Sequence, residues 1–415
     1  MARHITISDF LGLNNVLPPE ECTIQGDNFA IRYYLRKALN VDIDNSLKIR
    51  RRNGYASSYS GDCHSLWSDG KICLFRENRA LKRLNDNLTS ATILRNDIAG
   101  SLTVAYLPLN GNVYYSDGNT KGIISQETNR SWGLEIPGQV MLTAIPSIGS
   151  LREGTHQICV TYLRKDGQES GASESAYIDV ADNNAVRISG IVPSSDPDVI
   201  GLRVYATKRN GELFYRAFSL RNIEQTVDLL DDGLLTAIDL KTQFLSPLPA
   251  GQIIEYYRGV VYVGAFDTVW YSEPFRYELC DLSRNFIPFS NDLTLIGAVD
   301  DGIYFGTDDE IFFAEGEGPK KFKISKVADY GAIFGTAQKL TRSNDRGTEE
   351  KFILFASARG ICQGNNGGKL INSTEDTYLY EPAYSGAGFI RRDRGIRQFI
   401  VTLRGNDPDR SESVY

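Results

Sequence analysis

The chain of 415 residues is 41% apolar and 11% aromatic, enough to bury substantial cores and to make two or three domains. Its net charge of −7, with both signs interspersed, argues against a surface dedicated to gripping phosphate, though not against one that DNA merely passes. No run of about 18 apolar residues occurs, and the opening MARHITISDF lacks a signal-peptide core, so the chain is expected to be made in a cytoplasm with no membrane span. Six cysteines (Cys22, Cys63, Cys73, Cys159, Cys280, Cys362) show neither metal-type nor small-scaffold spacing, which predicts reduced, mostly buried thiols.

In chain order, DNFAIRYYLRKALN from Asp27 is the one stretch with a plausible helical pattern, and Ala30, Tyr34 and Leu35 fit a loop equally well. ALNVDIDNSLKIRRRNGY from Ala38 reads as a hairpin. Val41 and Ile43 alternate on one arm, Asp44-Asn45-Ser46 makes the turn, and Leu47 and Ile49 alternate on the other. Beyond it, short runs of aromatic and β-branched residues are bounded by turn pairs such as Asn110-Gly111, Asp117-Gly118, Asn210-Gly211 and Asp301-Gly302. An all-β chain is expected.

Several of these runs repeat. GVVYVGAFDTVWYSEP from Gly259 overlays DGIYFGTDDEIFFAEG from Asp301, with Tyr262 on Tyr304, Gly264 on Gly306, Val269 on Ile311, Trp270 on Phe312 and Tyr271 on Phe313. NVYYSDG from Asn112 matches the second half, Val113 falling on Val269; ICLFREN from Ile72 and GICQGNNGG from Gly360 are weaker copies. The spacings are 41 residues (Ile72 to Val113), 42 (Val269 to Ile311) and 50 (Ile311 to Ile361). That period fits propeller blades, because one twisted four-stranded sheet cannot cover both of its faces and must be stacked between others.

The interval from Val113 to Val269 is 156 residues, far more than one blade needs. Within it Ile158, Val160 and Tyr162 share a strand face, KDGQESG makes a turn, and AVRISGI, GLRVYATKRNGELFYRAF and QTVDLLD supply further short strands. Turn signals about ten residues apart, without a Cys-Trp-Cys core, predict an inserted immunoglobulin-type β-sandwich of the fibronectin III-like form. The expected fold is therefore all-β: a β-propeller of about six blades with this sandwich inserted. Residues 1–138 would hold the N-terminal hairpin and first blades, 139–248 the sandwich, and 249–415 the remaining blades.

Catalytic and metal chemistry find little footing. None of His4, His64 and His156 adjoins a plausible nucleophile, and Cys63, His64 and Cys73 lack the fourth ligand of a zinc site. GNNGGKL from Gly364 departs from a phosphate loop, with Gln363 at the first glycine position and Leu370 where a magnesium-binding hydroxyl belongs. The pairs Asp300-Asp301 and Asp308-Asp309 could serve calcium or a glycosidase dyad, but sit where turn geometry favours Asp. No enzyme, cofactor or metal is expected. The strongest positive runs are Lys48, Arg50, Arg51 and Arg52, and later Arg391, Arg392, Arg394 and Arg397. Each reads either as a solvated turn or as a subunit or adaptor contact, since in a ring every protomer presents two complementary patches.

GLNNVLPP from Gly12, followed by NVDIDNSLKIRRRNG, resembles the opening of tail structural proteins of tailed bacteriophages. VTYLRKDGQESGASE, GLRVYATKRNGELFY and YYRGVVYVGAFDTVWYSEP are similar to the same group, and from first to last these phrases span about two thirds of the chain. The group includes the nozzle, or tail tubular B, proteins of short-tailed phages and their DNA-stabilising tail accessory proteins. The resemblance implies a non-enzymatic virion component, assembled in the host cytoplasm and placed in the phage tail. It would form a homo-oligomeric ring, such as a hexamer, around the DNA exit channel, in contact with other tail or adaptor proteins and fibres. Genomic DNA would pass through it without specific binding. The other function class left open is a tail-tip adhesin that binds host surface glycan.

Overall fold

The computed structural model describes residues 9–25, 31–44, 46–54, 56–98, 103–125, 128–343, 347–393 and 396–405. The chain divides into two compact units, one of Met1–Gly61, Asp86–Ser90 and Phe289–Tyr415, the other of Asp62–Asn85 and Ala91–Pro288. It is all-β, built from propeller blades with an inserted β-sandwich.

Three blades belong to the second unit. Each is a four-stranded antiparallel sheet: Cys63–Ser68, Cys73–Glu77, Ala80–Leu84 and Ala91–Arg95; then Ala105–Leu109, Asn112–Ser116, Lys121–Ser125 and Thr128–Arg130; then Ile253–Tyr257, Val260–Ala265, Thr268–Tyr271 and Phe286–Pro288. The pleat of the strand Asn112–Ser116 explains why the sheets stack. Val113 and Tyr115 point into a core shared with Leu74, Leu81 and Ile98, whereas Tyr114 points the other way, toward Trp132, Val261 and Val263. A strand buried on both faces is continuously apolar, so it has no alternation for a sequence reading to register. The turn before it is the Asn-Gly pair, with φ of 52° and 76° at Asn110 and Gly111, the left-handed conformations that a two-residue hairpin of matching twist requires.

The fourth and fifth blades lie in the first unit: Leu293–Ala298, Gly302–Thr307, Ile311–Glu315 and Lys323–Ala328; then Gln338–Ser343, Glu349–Ser357, Gly360–Gly364 and Leu370–Asn372. They share a core of Leu295, Tyr304, Ile311, Phe313, Ile353 and Phe355. Gly364 is required there, because a Cβ would meet the Tyr304 ring and Ile353 at 2.9 Å.

The overlay of the third and fourth blades holds in register. Tyr262 pairs with Tyr271 as Tyr304 does with Phe313, and Gly264 with Val269 as Gly306 does with Ile311. The buried aromatics are these paired rings, 6.2 and 4.8 Å apart, whereas Trp270 and Phe312 lie half-buried on the opposite face against Phe286 and Phe289. One alignment needs correction. Val113 lies in the second strand of its sheet and Val269 in the third, so the counterpart of Asn112–Ser116 is Val260–Ala265. Both are apolar strands entered through a tight turn, and composition alone does not tell them apart.

Five four-stranded blades stand among the described residues, against an expectation of about six. The N-terminal part of the first unit goes instead into a three-stranded sheet (Phe10–Leu13, Ile31–Leu35, Thr23–Gln25) and the hairpin Val41–Ile43 with Ile49–Arg51. Ile31–Leu35 is a strand, so the one helical candidate is not a helix over those residues; tertiary pairing overrides a weak local pattern. A long hairpin, Ala383–Asp393 with Ile396–Gly405, completes the unit.

Between the second and third blades in sequence, Met141–Ile145, Ala185–Ser189 and Val227–Leu229 form one sheet, and Ala176–Val180, Gly154–Arg164, Val199–Thr207 and Phe214–Arg221 form another. Ile158, Val160, Tyr162, Leu202 and Val204 of the second meet Val186, Ile188 and Leu229 of the first in one core. Cys159, on the reverse face of its strand, packs with Tyr205 and Phe214, so this strand too is covered on both sides. At the end of that strand, Arg164 reaches Glu278 at 2.5 Å, and both side chains are almost wholly buried. Arg164 also holds Asp166 at 3.0 Å, which Arg130 meets at 2.6 Å. Glu278 in turn accepts from the Gly133 N–H at 2.9 Å. A second buried pair, Arg76 with Asp117 at 3.7 Å, spans the first and second blades.

Candidate partner-contact site

The hairpin of residues 41–51 is fixed by its acidic residues. Asp44 Oδ1 accepts from the N–H groups of Ser46 (2.8 Å) and Lys48 (3.1 Å), closing the turn. Its Oδ2 takes the Arg50 Nε at 2.6 Å. The Lys48 N–H, with help from Arg50, holds the Asp44 carboxyl below its ordinary range. Asp42 lies two residues earlier, on the same face of the pleat. It receives Arg52 Nε at 2.7 Å and, from the long C-terminal hairpin, Arg391 Nη2 at 2.8 Å. Burial alone would raise the Asp42 pKa, but the two guanidiniums outweigh it and lower it.

The two basic runs therefore meet in space although 349 positions separate Asp42 from Arg391. Arg391 is steadied by Gln398, whose Oε1 accepts from its Nε at 2.9 Å. Arg392 pairs across the hairpin with Arg397, whose Nη1 donates to the Thr341 carbonyl at 3.3 Å. Arg394 lies outside the described residues. Lys48, Arg51, Arg392 and Arg397 have no carboxylate partner among the described residues. Arg51 and Arg52, with Asn40, Asn53 and Gly54, line an open cleft of about 670 Å³.

Asp42, Asn40, Asn53 and Gln398 are the members that a reading for positive runs passes over. The signal available was the alternation in VDID, which puts Asp42 and Asp44 on one pleat face opposite the arginine arm.

Other sequence candidates resolve into local roles. His4 lies outside the described residues, His156 is buried with Nδ1 3.1 Å from the Thr207 carbonyl, and His64 Nδ1 is 2.9 Å from Ser65 Oγ. All six cysteines are free thiols; Cys22, Cys159, Cys280 and Cys362 are buried and Cys63 is exposed. Burial pushes Cys280 and Cys159 up to about 12, the opposite of what a nucleophile needs. Asp300 and Asp301 hold the turn of GNNGGKL, through the Asn366 amide (3.3 Å) and the Gly367 N–H (2.8 Å), and Asp309 accepts from Thr307 Oγ1 at 2.9 Å. Among the described residues no group of three or more His, Cys, Asp or Glu side chains could hold a metal ion, and no helix is long and apolar enough to cross a membrane.

No family model matches the chain, and no curated protein matches it. Among solved structures it is similar to BBS1N in complex with ARL6DN, at 10% identity over 83% of this chain and 89% of that one, with a TM-score of 0.33. It is also similar to the N-terminal domain of Nup159, at 9% identity over 82% and 73%, with a TM-score of 0.33. A third is the extracellular domain of the hybrid two-component system BT4673 from B. thetaiotaomicron, at 9% identity over 79% and 36%, with a TM-score of 0.28. Likeness at this level says nothing of partner or activity.

Proposed function

We propose that the chain is a non-enzymatic structural protein of a bacteriophage tail, a nozzle or tail-tube component that assembles as a ring around the DNA exit channel. Its joined basic surface is the contact to a neighbouring subunit or adaptor. The observation that carries the contact is the meeting of both basic runs at Asp42, beside cations that have no carboxylate partner among the described residues, on an otherwise acidic protein. Such a patch serves a heterologous contact, in which two different surfaces must match. The phage assignment itself rests on the resemblance of the quoted phrases. A conduit through which DNA slides must not hold it, since every fixed phosphate contact adds salt-dependent affinity.

The test replaces Lys48, Arg50, Arg51 and Arg52 together by Ser. The expected result is a folded protomer that fails to enter particles, with negligible duplex affinity before and after at ~150 mM salt. Tight duplex binding that the Ser variant loses while still assembling would overturn the conduit. Saturable sugar binding by an unassembled protomer would favour the host-glycan adhesin instead.

A further inference from the structure

The chain holds four Asn-Gly pairs, Asn53-Gly54, Asn110-Gly111, Asn210-Gly211 and Asn366-Gly367, and the structure ties down all but the first. We infer that Asn53-Gly54 is a self-modification site, where the Gly54 nitrogen attacks the Asn53 side-chain amide and a carboxylate results beside Arg51 and Arg52. Asn210 Oδ1 accepts from the Thr155 N–H at 2.9 Å, and the Gly211 N–H donates to the Lys208 carbonyl at 2.8 Å. Asn366 Oδ1 accepts from the Asp300 N–H at 3.1 Å, and the Gly367 N–H donates to Asp301 Oδ2 at 2.8 Å. Asn110-Gly111 is a left-handed turn closed by the Leu109–Asn112 pair, and the Asn110 side chain meets the Tyr277 hydroxyl. Asn53-Gly54 instead follows the end of its hairpin, whose last backbone bond runs from the Arg52 N–H to the Asn40 carbonyl at 3.0 Å. Both residues are exposed on the open cleft, and neither makes a hydrogen bond among the described residues. A Cβ on Gly54 would meet nothing within 4 Å.

The step balances with no oxidant or cofactor. Hydroxide removes the Gly54 amide proton, the nitrogen bonds to Asn53 Cγ to close a succinimide ring, and the side-chain nitrogen leaves as ammonia. Water then opens either ring carbonyl, giving Asp or its isoaspartyl isomer, so a neutral amide becomes a carboxylate. Attack requires the backbone to swing until the glycine nitrogen lies against Cγ, and a bonded N–H or a closed turn must first open for that. Glycine eases the swing because no side chain restricts its backbone. The product sets a negative charge directly after Arg51 and Arg52 in the basic run. On the partner-contact reading proposed above, on which this consequence alone rests, that charge weakens the contact as the protein ages.

The test incubates the full chain in mildly alkaline buffer and follows the peptide around each Asn-Gly pair by mass spectrometry, with isoaspartyl methylation to identify the isomer. Asn53 is expected to convert ~10-fold or more faster than Asn110, Asn210 or Asn366, at a rate proportional to hydroxide, and Gly54→Ala should slow it ~10-fold or more. In strong urea, where the turns are gone, the four pairs should convert within ~3-fold of one another. Comparable rates at all four in the folded chain, indifference to Gly54→Ala, or the same selectivity in urea would each overturn the inference. Asn53→Asp, which carries the product's charge, should enter particles less well than the parent, and Asn53→Gln as well as the parent. Unchanged thermal melts establish that the variants are folded. If Asn53 converts selectively while Asn53→Asp enters particles normally, the modification stands and its effect on the contact is refuted. Particle entry that survives loss of the whole basic cluster sinks the contact reading and leaves the modification site intact.

Discussion

Arg164, at the end of a sandwich strand, and Arg51, on the exposed hairpin of the other unit, are the same side chain under opposite conditions. Arg164 is 1% exposed and meets Glu278, Asp166 and the Ser131 carbonyl. Arg51 is exposed and meets no carboxylate among the described residues. A buried guanidinium costs several kcal/mol to desolvate, so it persists only where every donor has a partner, and its task is to fix one piece of the fold against another. An exposed one carries no such requirement, and its unmatched charge is available to something outside the chain. In this protein burial, more than residue type, separates architecture from contact.

The largest effect expected from that contrast is at the buried pair. Arg164→Met leaves Glu278 as an uncompensated buried carboxylate and should cost roughly 3–5 kcal/mol in chemical denaturation, whereas Arg164→Met with Glu278→Leu should recover most of the loss. Equal losses in the single and double variants would show that shape, not charge, holds the junction. The same logic governs excision of the sandwich: removing Met141–Leu230, which takes all seven of its strands, strips Glu278 of Arg164, so the remaining blades should fold cooperatively only when Glu278→Gln accompanies the deletion.

This junction was invisible in the sequence, for the same reason that the joined basic runs were legible only separately. Arg164 and Glu278 are 114 positions apart and Asp42 and Arg391 are 349 apart, and no local period links them. What could be read was whatever repeats with the pleat: the alternation Ile158, Val160, Tyr162, and the overlay of Tyr262 on Tyr304, both fully buried. Where strands are covered on both faces the alternation vanishes, so Asn112–Ser116 was matched one strand out of place. The overlay aligns Trp270 with Phe312 as readily as Tyr271 with Phe313, but it does not say which face is inward; the pleat puts Tyr271 and Phe313 in the core. The basic cluster was legible as charge, not as a cleft, because the cleft depends on Asn40 and Asn53 folding beside Arg51 and Arg52.

A middle-sized effect is expected at Asp166, which bridges the buried Arg164 and the more accessible Arg130. Burial would raise its pKa, but the Arg164 guanidinium, the Gln168 N–H and Arg130 outweigh it and bring it down to about 2. A carboxyl depressed in the folded state adds stability that is fully present above its unfolded value near 4 and fades as pH falls through that value toward 2. With a third of the side chain exposed, solvent screening reduces the contribution to about 1–2 kcal/mol. Unfolding followed from pH 5 down to pH 2 should therefore fall less steeply for Asp166→Asn than for the parent. Parallel profiles would remove Asp166 from the junction.

The smallest effect is the one that makes the comparison sharp. Arg51→Gln should change stability by no more than about 0.5 kcal/mol, because an exposed side chain without an ion pair has little to lose on truncation. Arg52→Gln removes the 2.7 Å contact to Asp42, yet Arg391 still faces that carboxylate at 2.8 Å, so its cost should also stay below about 1 kcal/mol. Thermal melts of the two variants beside Arg164→Met would rank the three arginines directly. If Arg51→Gln destabilised the protomer as much as Arg164→Met, the hairpin would belong to the fold's own ionic framework. Loss of particle entry in that variant would then report unfolding and could not be credited to a missing contact.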